Sequence, residues 1–292
     1  MIINPRDCVN AFQKLRQPAY RKKRAVTTGF TFLDSTMRLA LGYFMVVTGY
    51  PGSGKSEFVD AMLANCAIIH GWNTLMFSPE NYPTEEHMCK IAERFIGKSM
   101  LNFTNEDEAA AMDFIDTFFR WTYPDDPSLD NLLTIALEHH KKNPIQVLVF
   151  DPWNNVEHSR GDALISEYLS TSLSKIIRFG RTNKILMIVI AHPKNPPPQK
   201  DPTKPIPHAN MWDIDGGAMW RNKADYGVIC HRPCMATHKM EAYFQKIKYK
   251  WMGQIGMHVF DYEYMTGRYK GTMDKNFDLP VYDDPGAIAP PF

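Results

Sequence analysis

Apolar residues in the middle of the chain follow two alternating patterns. Short continuous apolar runs predict buried strands at residues 44–48, 75–78, 147–150 and 185–191. Apolar positions three or four residues apart predict helices at residues 55–70, 84–97, 106–119, 128–142 and 164–181. Strands that alternate with helices are typical of a mainly parallel sheet whose faces are covered by helices. The pattern therefore predicts an α/β fold.

After about residue 226 the pattern changes to successive strand-like segments, at 226–230, 242–249 and 257–264. No helical pattern separates these segments. We therefore expect antiparallel strands added at the C-terminal edge of the sheet.

Prolines concentrate in one central segment, residues 192–208, which holds seven of the 21 prolines. The same segment carries Lys194, Lys200 and Lys204. A loop of this length inside a compact domain usually serves a function or moves. We expect a functional loop here.

Composition excludes several classes of protein. The chain has 292 residues, 44% of them hydrophobic, with 33 Lys and Arg against 32 Asp and Glu. No apolar run is long enough to cross a bilayer, so we expect no membrane partner. A disordered chain and a collagen-like chain are also excluded. The net charge of +1 argues against a highly basic nucleic-acid coat.

The near-neutral charge hides two opposed segments. Residues 8–33 hold six basic residues and no acidic one, whereas residues 101–131 hold eight acidic residues and only Arg120 as a basic one. The basic cluster at 21–24 is either a solvated linker or a contact with a neighbouring subunit or with phosphate.

Five cysteines, an odd number, predict a reduced chain without a disulfide framework. Cys230 and Cys234, with His238 nearby, resemble half of a zinc site, but no second ligand pair follows at zinc spacing. Cys230 is instead expected to end a buried strand. Since the first ten residues lack the pattern of a signal peptide, we expect a cytoplasmic protein, in the host cytoplasm if it is phage-encoded.

The strongest motif is Gly49-Tyr50-Pro51-Gly52-Ser53-Gly54-Lys55-Ser56, a complete G-x-x-x-x-G-K-S between a predicted strand and a predicted helix. Backbone N–H groups of such a loop surround phosphates, and the helix N-terminus adds partial positive charge. The motif predicts binding of ATP, or of another nucleoside or deoxynucleoside triphosphate, with Mg²⁺. The predicted ligands are Gly49, Pro51, Gly52, Ser53, Gly54, Lys55 and Ser56, with Ser56 on the metal.

Hydrolysis needs further groups at strand ends. Asp151 follows a strand and is expected beside Mg²⁺, at the carboxyl edge where open α/β sheets bind ligands; the alternative is a helix cap before Pro152. Glu80 follows another strand and is the candidate general base, or else a solvated loop carboxylate. His192 ends a third strand, where it either contacts the third phosphate or is merely structural.

These motifs together resemble a known family. They follow one order along the chain. The Gly-Lys-Ser motif at 49–56, called the P-loop below, comes first. It is followed by Ser-Pro-Glu-Asn at 78–81, Val-Phe-Asp-Pro-Trp-Asn at 149–154, Ile-Ala-His-Pro at 190–193, Trp-Arg-Asn-Lys-Ala-Asp at 220–225 and the lysine-rich stretch from 245. Over roughly residues 25–270 this order is similar to the RecA-like ATPase domain of DnaB-type (superfamily 4) replicative helicases, nearest the phage primase-helicases and Twinkle-like helicases.

The resemblance implies a RecA-like P-loop NTPase core that works as a ring, usually a hexamer. It also implies movement 5′ to 3′ on single-stranded DNA and unwinding during DNA replication, here of a phage or related element. By the resemblance Lys55 and Ser56 bind phosphate and Mg²⁺, and Glu80 is the catalytic carboxylate. Asp151 is then the metal-associated acid, and His192 senses the third phosphate.

Three lysines in one predicted strand bear on the ring. Lys246, Lys248 and Lys250 stand at alternate positions, hence on one face, which for a solitary chain is a solvated face. By the resemblance this stretch aligns with a Lys and Arg pair that reaches the neighbour's ATP site. No arginine is present, so either Lys248 or Lys250 takes that position, without the planar fork of arginine. Arg268 is an outside candidate.

Two loops are expected to face DNA, because phosphate contacts supply most sequence-independent affinity. One covers residues 154–166 and carries Arg160. The other is the proline-rich loop, with Lys194, Lys200 and Lys204.

The expected organisation has three parts: a basic linker or subunit-contact segment at 1–24, the ATPase domain at 25–270, and a tail at 271–292. It leaves no room for a primase, so either a separate primase acts with this protein and a polymerase, or the chain is a fragment. Two alternative functions stay open. One is a RecA-, RadA- or KaiC-like ATPase without unwinding, and the other is an ATP-binding helicase loader.

Overall fold

The computed structural model describes residues 5–157, 164–194, 207–234 and 236–270. In this part of the chain one sheet contains the strands β1 (Phe44–Thr48), β2 (Thr74–Phe77), β3 (Phe119–Trp121), β4 (Val147–Phe150), β5 (Leu186–Ile190), β6 (Tyr226–His231), β7 (Lys239–Ile247), β8 (Gly256–Glu263) and β9 (Arg268–Tyr269). The α-helices are α1 (Val9–Leu15), α2 (Pro18–Arg24), α3 (Lys55–His70), α4 (Thr84–Ile96), α5 (Asn105–Phe118), α6 (Leu129–Lys142), α7 (Ile165–Asn183) and α8 (Gly217–Lys223).

The strand order is β3-β2-β4-β5-β1-β6-β7-β8-β9. In this order the first six strands, β3 to β6, run parallel to one another. Each of β7, β8 and β9 runs antiparallel to the strand before it. The predicted antiparallel edge is therefore confirmed from β7 onward. Its first strand, β6, is parallel to β1 instead, because the connection from β5 contains α8 and crosses back over the sheet.

The two faces of β1 pack against different helices. Met45 and Val47 belong to a buried cluster with residues of α3, α4 and α5. Phe44 and Val46 belong to a second cluster with residues of α6, α7 and α8. Burial on both faces explains why β1, β4 and β5 are continuous apolar runs in the sequence. None of the described helices is long and apolar enough for a bilayer crossing.

Each predicted helix is present, with its ends within about two residues of the predicted ones, and α3 has the predicted bounds. Five of the described helices and strands have no counterpart in the prediction: α1, α2, α8, β3 and β9. They are seven residues or shorter, and α1 buries none of its residues. Such short segments give too few positions for a hydrophobic period to be recognised.

Candidate functional site

The P-loop connects β1 with α3, and its glycines make the turn possible. Gly49 has φ +149°, and a Cβ there would collide with the carbonyl oxygen of Cys230 at the end of β6. Gly54 has φ +87° directly before α3 begins. Only glycine adopts these conformations without strain. The loop is thus held tightly against the sheet with its N–H groups near the start of α3.

Lys55 is buried and folds back over the loop. Its Nζ donates hydrogen bonds to the carbonyl oxygens of Gly49, at 2.9 Å, and Tyr50, at 3.2 Å. Burial lowers the pKa of Lys55, although the nearby Cys230, Asp151 and Glu80 oppose this effect. An ammonium group that is desolvated and bound only by carbonyls has free capacity for an anion.

Three of the predicted residues meet at the carboxyl edge of the sheet. Since β2 pairs with β4 and β4 with β5, their ends lie side by side, next to the P-loop after β1. The structure thereby brings together Glu80, Asp151 and His192. Nε2 of His192 lies 3.4 Å from Oε1 of Glu80.

Asp151 is 3% exposed and hydrogen-bonds with Ser56 and with Asn81, whose Nδ2 lies 3.3 Å from Oδ2. Burial raises the pKa of Asp151 to about 6, mainly because a carboxylate loses its hydration there. The negative charges of Asp60 and Glu80 act in the same direction. This carboxylate therefore sits where a cation would stabilise it.

The donor set fits Mg²⁺, which prefers oxygen ligands and binds proteins through one or two carboxylates plus phosphate. The Ser56 hydroxyl and the Asp151 carboxylate already contact each other. Ser53 Oγ and His192 Nδ1 are buried beside the loop without a hydrogen-bond partner among the described residues. Polar atoms of this kind are suited to phosphate oxygens.

A small cavity of about 50 Å³ lies beside the start of α3. Its walls come from α3 and from the strands and loops between β6 and β9, and the lining residues are Gly54, Glu57, Arg232, His238, Met240, Tyr262 and Tyr269. The amino-acid sequence gives no signal for this cavity, because its lining residues are far apart in the chain and form no motif.

The zinc alternative finds no support in the described residues, where no cluster of metal ligands occurs. Cys230 is buried within β6, as predicted, and Cys234 is exposed. Burial raises the pKa of the Cys230 thiol to about 12. All five cysteines are free.

The prediction that three lysines share one strand face is wrong. β7 ends at Ile247, so Lys248 and Lys250 lie in the following turn. Lys246, the one lysine of the three on the strand, donates to the carbonyls of Arg221 and Asn222. β7 ends here because its partner β6 begins at Tyr226, which lies opposite Ile247, and the chain then turns at residues 248–253.

Lys248 and Lys250 also lie far from Lys55. Nζ of Lys248 is 2.7 Å from Oδ1 of Asp225, a fully buried carboxylate directly before β6. This is the amino edge of the parallel strands, opposite to the P-loop. Lys250 is exposed, and no ion pair involves it in the described part of the chain. The two candidates therefore have different surroundings.

Arg268 is engaged inside the chain. Its Nε donates to the carbonyl of Arg94 at 2.7 Å, and its second amino group to that of Phe95 at 2.8 Å. These are free carbonyls at the C-terminal end of α4, where cationic side chains are favourable. Arg268 acts as a helix cap in this arrangement.

The predicted DNA loops are described only in part. Lys194 lies at the start of the proline-rich loop, with its Nζ 3.5 Å from Asp215. Arg160, Lys200 and Lys204 lie outside the described residues, as does the tail at 271–292.

Known proteins are similar to this chain in sequence and in fold. No family model matches it. The Twinkle homolog protein, chloroplastic/mitochondrial, of Arabidopsis thaliana is 33% identical over an alignment 266 residues long, and the match covers 84% of this chain and 36% of that protein. The chain thus spans little more than a third of that relative's length.

Three solved structures share the fold. One is an ATPase domain with a TM-score of 0.74 at 14% identity, and the match covers 90% of this chain and 97% of that one. A DnaB-like replicative helicase, solved with its interactions with primase, has 0.71 at 14%, with 90% and 66% covered. The RadB recombinase has 0.53 at 16%, with 82% and 97% covered. These likenesses confirm the predicted RecA-like α/β fold.

Proposed function

We propose that the chain carries a RecA-like ATPase domain of the DnaB type (superfamily 4) and is an ATP-driven helicase of DNA replication. The observation that carries the proposal is the meeting of Lys55, Ser56, Glu80, Asp151 and His192 at one edge of the sheet. Glu80 and His192 are in contact, and so are Ser56 and Asp151. This set supplies a phosphate cradle, metal ligands and a base, which ATP hydrolysis requires.

Each side chain has a proposed task. Lys55 exchanges the carbonyls of Gly49 and Tyr50 for phosphate oxygens when ATP enters. Ser56 and Asp151 would hold Mg²⁺, which when bound would neutralise charge on the phosphates. Glu80 accepts the proton of the attacking water, and its neighbour His192 donates to the third phosphate.

The cavity beside α3 marks the side of the P-loop on which the nucleoside part of the ligand lies in this proposal. It adjoins Gly54, so a phosphate chain on the P-loop leads towards it. Arg232 and the rings of Tyr262 and Tyr269 are the kinds of side chain that contact a base through its π face.

The position of Lys250 supports a ring. It lies at the edge of the sheet opposite to the P-loop, so it serves the site of a neighbouring subunit rather than its own. We propose Lys250 as the trans-acting cation and Lys248 as the anchor of its turn. The exposed Val9, Phe12 and Tyr20 of the N-terminal helices are a proposed contact with the next subunit.

The remaining parts of the proposal rest on family resemblance. They are a hexameric ring, movement 5′ to 3′ on single-stranded DNA, phage origin, a separate primase and polymerase, and a location in the cytoplasm. Residues 25–270 form the motor domain, and Lys194, with Arg160, Lys200 and Lys204, contacts DNA phosphates.

Unwinding of forked DNA with ATP tests the proposal, run beside Lys55→Ala and Glu80→Gln. We expect unwinding by the unchanged protein and none by either variant. DNA-stimulated hydrolysis without strand separation on forks of either polarity would sink the helicase proposal. It would favour a recombinase-like ATPase, whose fold the chain also shares.

A further inference from the structure

We propose that Asn81 and Lys90 are positioning residues that fix the Asp151 carboxylate and connect it to Glu57 on the wall of the cavity. The inference rests on the proposed function, because it takes Asp151 to be the metal-associated acid. Neither Asn81 nor Lys90 touches the reacting atoms in this proposal. They act through Asp151.

The Asn81 amide lies between the Asp151 carboxylate, which accepts hydrogen bonds, and the Lys90 ammonium, which donates them. Its Nδ2 lies 3.3 Å from Oδ2 of Asp151 and 2.8 Å from Oγ of Ser78. Its Oδ1 accepts a hydrogen bond from Nζ of Lys90 at 3.2 Å. A carboxylate only accepts and an ammonium only donates, so this orientation of the amide satisfies both.

Lys90 therefore selects the orientation of the amide. If the amide turned over, its oxygen would face the Asp151 carboxylate and its NH₂ would face the Lys90 ammonium, and both contacts would become repulsive. Without Lys90 one of these two penalties disappears, and the amide is free to turn. An amide in the reversed orientation repels the Asp151 carboxylate, which is only 3% exposed and so has little contact with water.

Lys90 is itself held in place by the P-loop helix. Its Nζ lies 3.2 Å from Oε1 of Glu57, two residues after Lys55. The other oxygen of Glu57 accepts from the buried Arg94 and, at 3.0 Å, from the Tyr262 hydroxyl. Since Glu57 and Tyr262 line the cavity, a continuous set of contacts runs from the cavity through Lys90 and Asn81 to Asp151.

This arrangement matters most when the metal is bound. Among the described residues, the Asp151 side chain hydrogen-bonds with Ser56 and Asn81. The oxygen of Ser56 is a proposed metal ligand, so the Asn81 amide is the contact that remains devoted to orienting the carboxylate. Partners of this kind typically change metal affinity or activity by about 10- to 100-fold.

The test is a calorimetric titration of each protein with ADP, once with Mg²⁺ and once with EDTA. The variants are Lys90→Met, Asn81→Leu and the double variant. Lys98→Met is the matched control, because Lys98 is also a half-exposed lysine near the end of α4 and pairs with Asp107 at 2.7 Å. Lys90→Arg tests rescue by a cation, and Asn81→Ser replaces Asn81→Leu if that variant does not fold.

Mg²⁺ should raise the affinity for ADP, and in Lys90→Met we expect this increase to be about tenfold smaller than in the unchanged protein. Affinity in EDTA should stay within about twofold, as should both affinities of Lys98→Met. Because Lys90 acts through Asn81, the double variant should lose no more than Asn81→Leu alone. Lys90→Arg should recover most of the loss.

Two outcomes overturn the inference. One is a Mg²⁺-dependent gain in Lys90→Met equal to that of Lys98→Met. The other is a double variant whose loss is the product of the single losses. Hydrolysis by Lys55→Ala separates this failure from failure of the proposed function. If Lys55→Ala is inactive, only the positioning role is lost; if it hydrolyses ATP normally, the proposed function fails with it.

Discussion

The ammonium group of Lys248 lies 2.7 Å from the carboxylate of Asp225, which is completely buried before β6. Oδ2 of Asp225 also accepts a hydrogen bond from the backbone N–H of Phe44, at 3.1 Å, where β1 begins. The pair thus ties the turn at 248–253 to the central strands. Lys250, two residues further, has no such contact in the described part of the chain. The two lysines should therefore fail in different ways when substituted.

Lys248→Met should lower the free energy of unfolding, because it leaves a buried carboxylate without its cation. Loss of one partner of a buried pair costs about 3–5 kcal/mol. With the Lys248 side chain 35% exposed, we expect roughly 1–3 kcal/mol. Urea unfolding at pH 7 measures this loss. Lys250→Met should change stability by less than about 0.5 kcal/mol.

Lys250→Met should instead abolish activity across the subunit interface. Turnover should return when Lys250→Met subunits are mixed with Lys55→Ala subunits. It should return at interfaces where the intact P-loop of a Lys250→Met subunit faces the intact Lys250 of a Lys55→Ala subunit. Lys248→Met subunits, compared at equal folded concentration, should retain most of their own turnover. Lower turnover in folded Lys248→Met than in Lys250→Met would exchange the two assignments.

Asp151 should make the free protein less stable above pH 6. Its pKa is raised from 3.8 to about 6, so between these values the folded state binds more protons than the unfolded state. The free energy of unfolding then falls as pH rises through this window and stays lower above it. At about 1.4 kcal/mol per unit, Asp151→Asn should stabilise the nucleotide-free protein by about 3 kcal/mol at pH 7.

Thermal or urea unfolding at several pH values measures this effect. Asp151→Asn should gain stability at pH 7 but not at pH 4, while losing Mg²⁺-dependent hydrolysis. Asp130→Asn, at a carboxylate that is 73% exposed, is the control and should show no such gain. Equal stability of Asp151→Asn and the unchanged protein at pH 7 would contradict the prediction.

The buried pair of Asp60 and His87 should be important for stability. Nε2 of His87 lies 3.1 Å from Oδ2 of Asp60, and Nε1 of Trp121 donates to Nδ1 of His87 at 3.1 Å. His87→Leu leaves the Asp60 carboxylate buried without this donor. We expect a loss of about 3 kcal/mol in urea unfolding with an unchanged slope. Asp60→Asn combined with His87→Leu should recover part of it, because position 60 then carries no buried negative charge.

Arg268→Met should reduce stability without affecting trans activity. Its guanidinium caps carbonyls at the end of α4, and we expect a loss of about 1–3 kcal/mol. Turnover per folded subunit, in mixtures with Lys55→Ala, should match that of the unchanged chain. If folded Arg268→Met subunits restored no turnover in such mixtures, Arg268 would again be a candidate for the trans-acting cation.

The type of fold could be predicted from the sequence, and so could the polar residues at the edge of the sheet beside the P-loop. Strands buried on both faces are continuous apolar runs, and the first polar residue after each run lies at the carboxyl edge. For this reason Asp151 and His192 could be located without the structure. Glu80 stands three residues after the end of its strand and was expected at the same edge, and the bounds of α3 followed from the helical spacing of its apolar residues.

Only the tertiary structure decided which strands are neighbours, because all the buried strands have the same apolar pattern. It also separated Lys248 from Lys250, since the position of Asp225 beside one of them depends on how β6 and β7 pair. The contacts of Asn81 with Lys90 and Asp151 join an ordinary loop amide, a helix lysine and a strand end. Hydrogen bonds between distant residues leave no periodic signal, because a period reports burial along one element and not the contacts between elements.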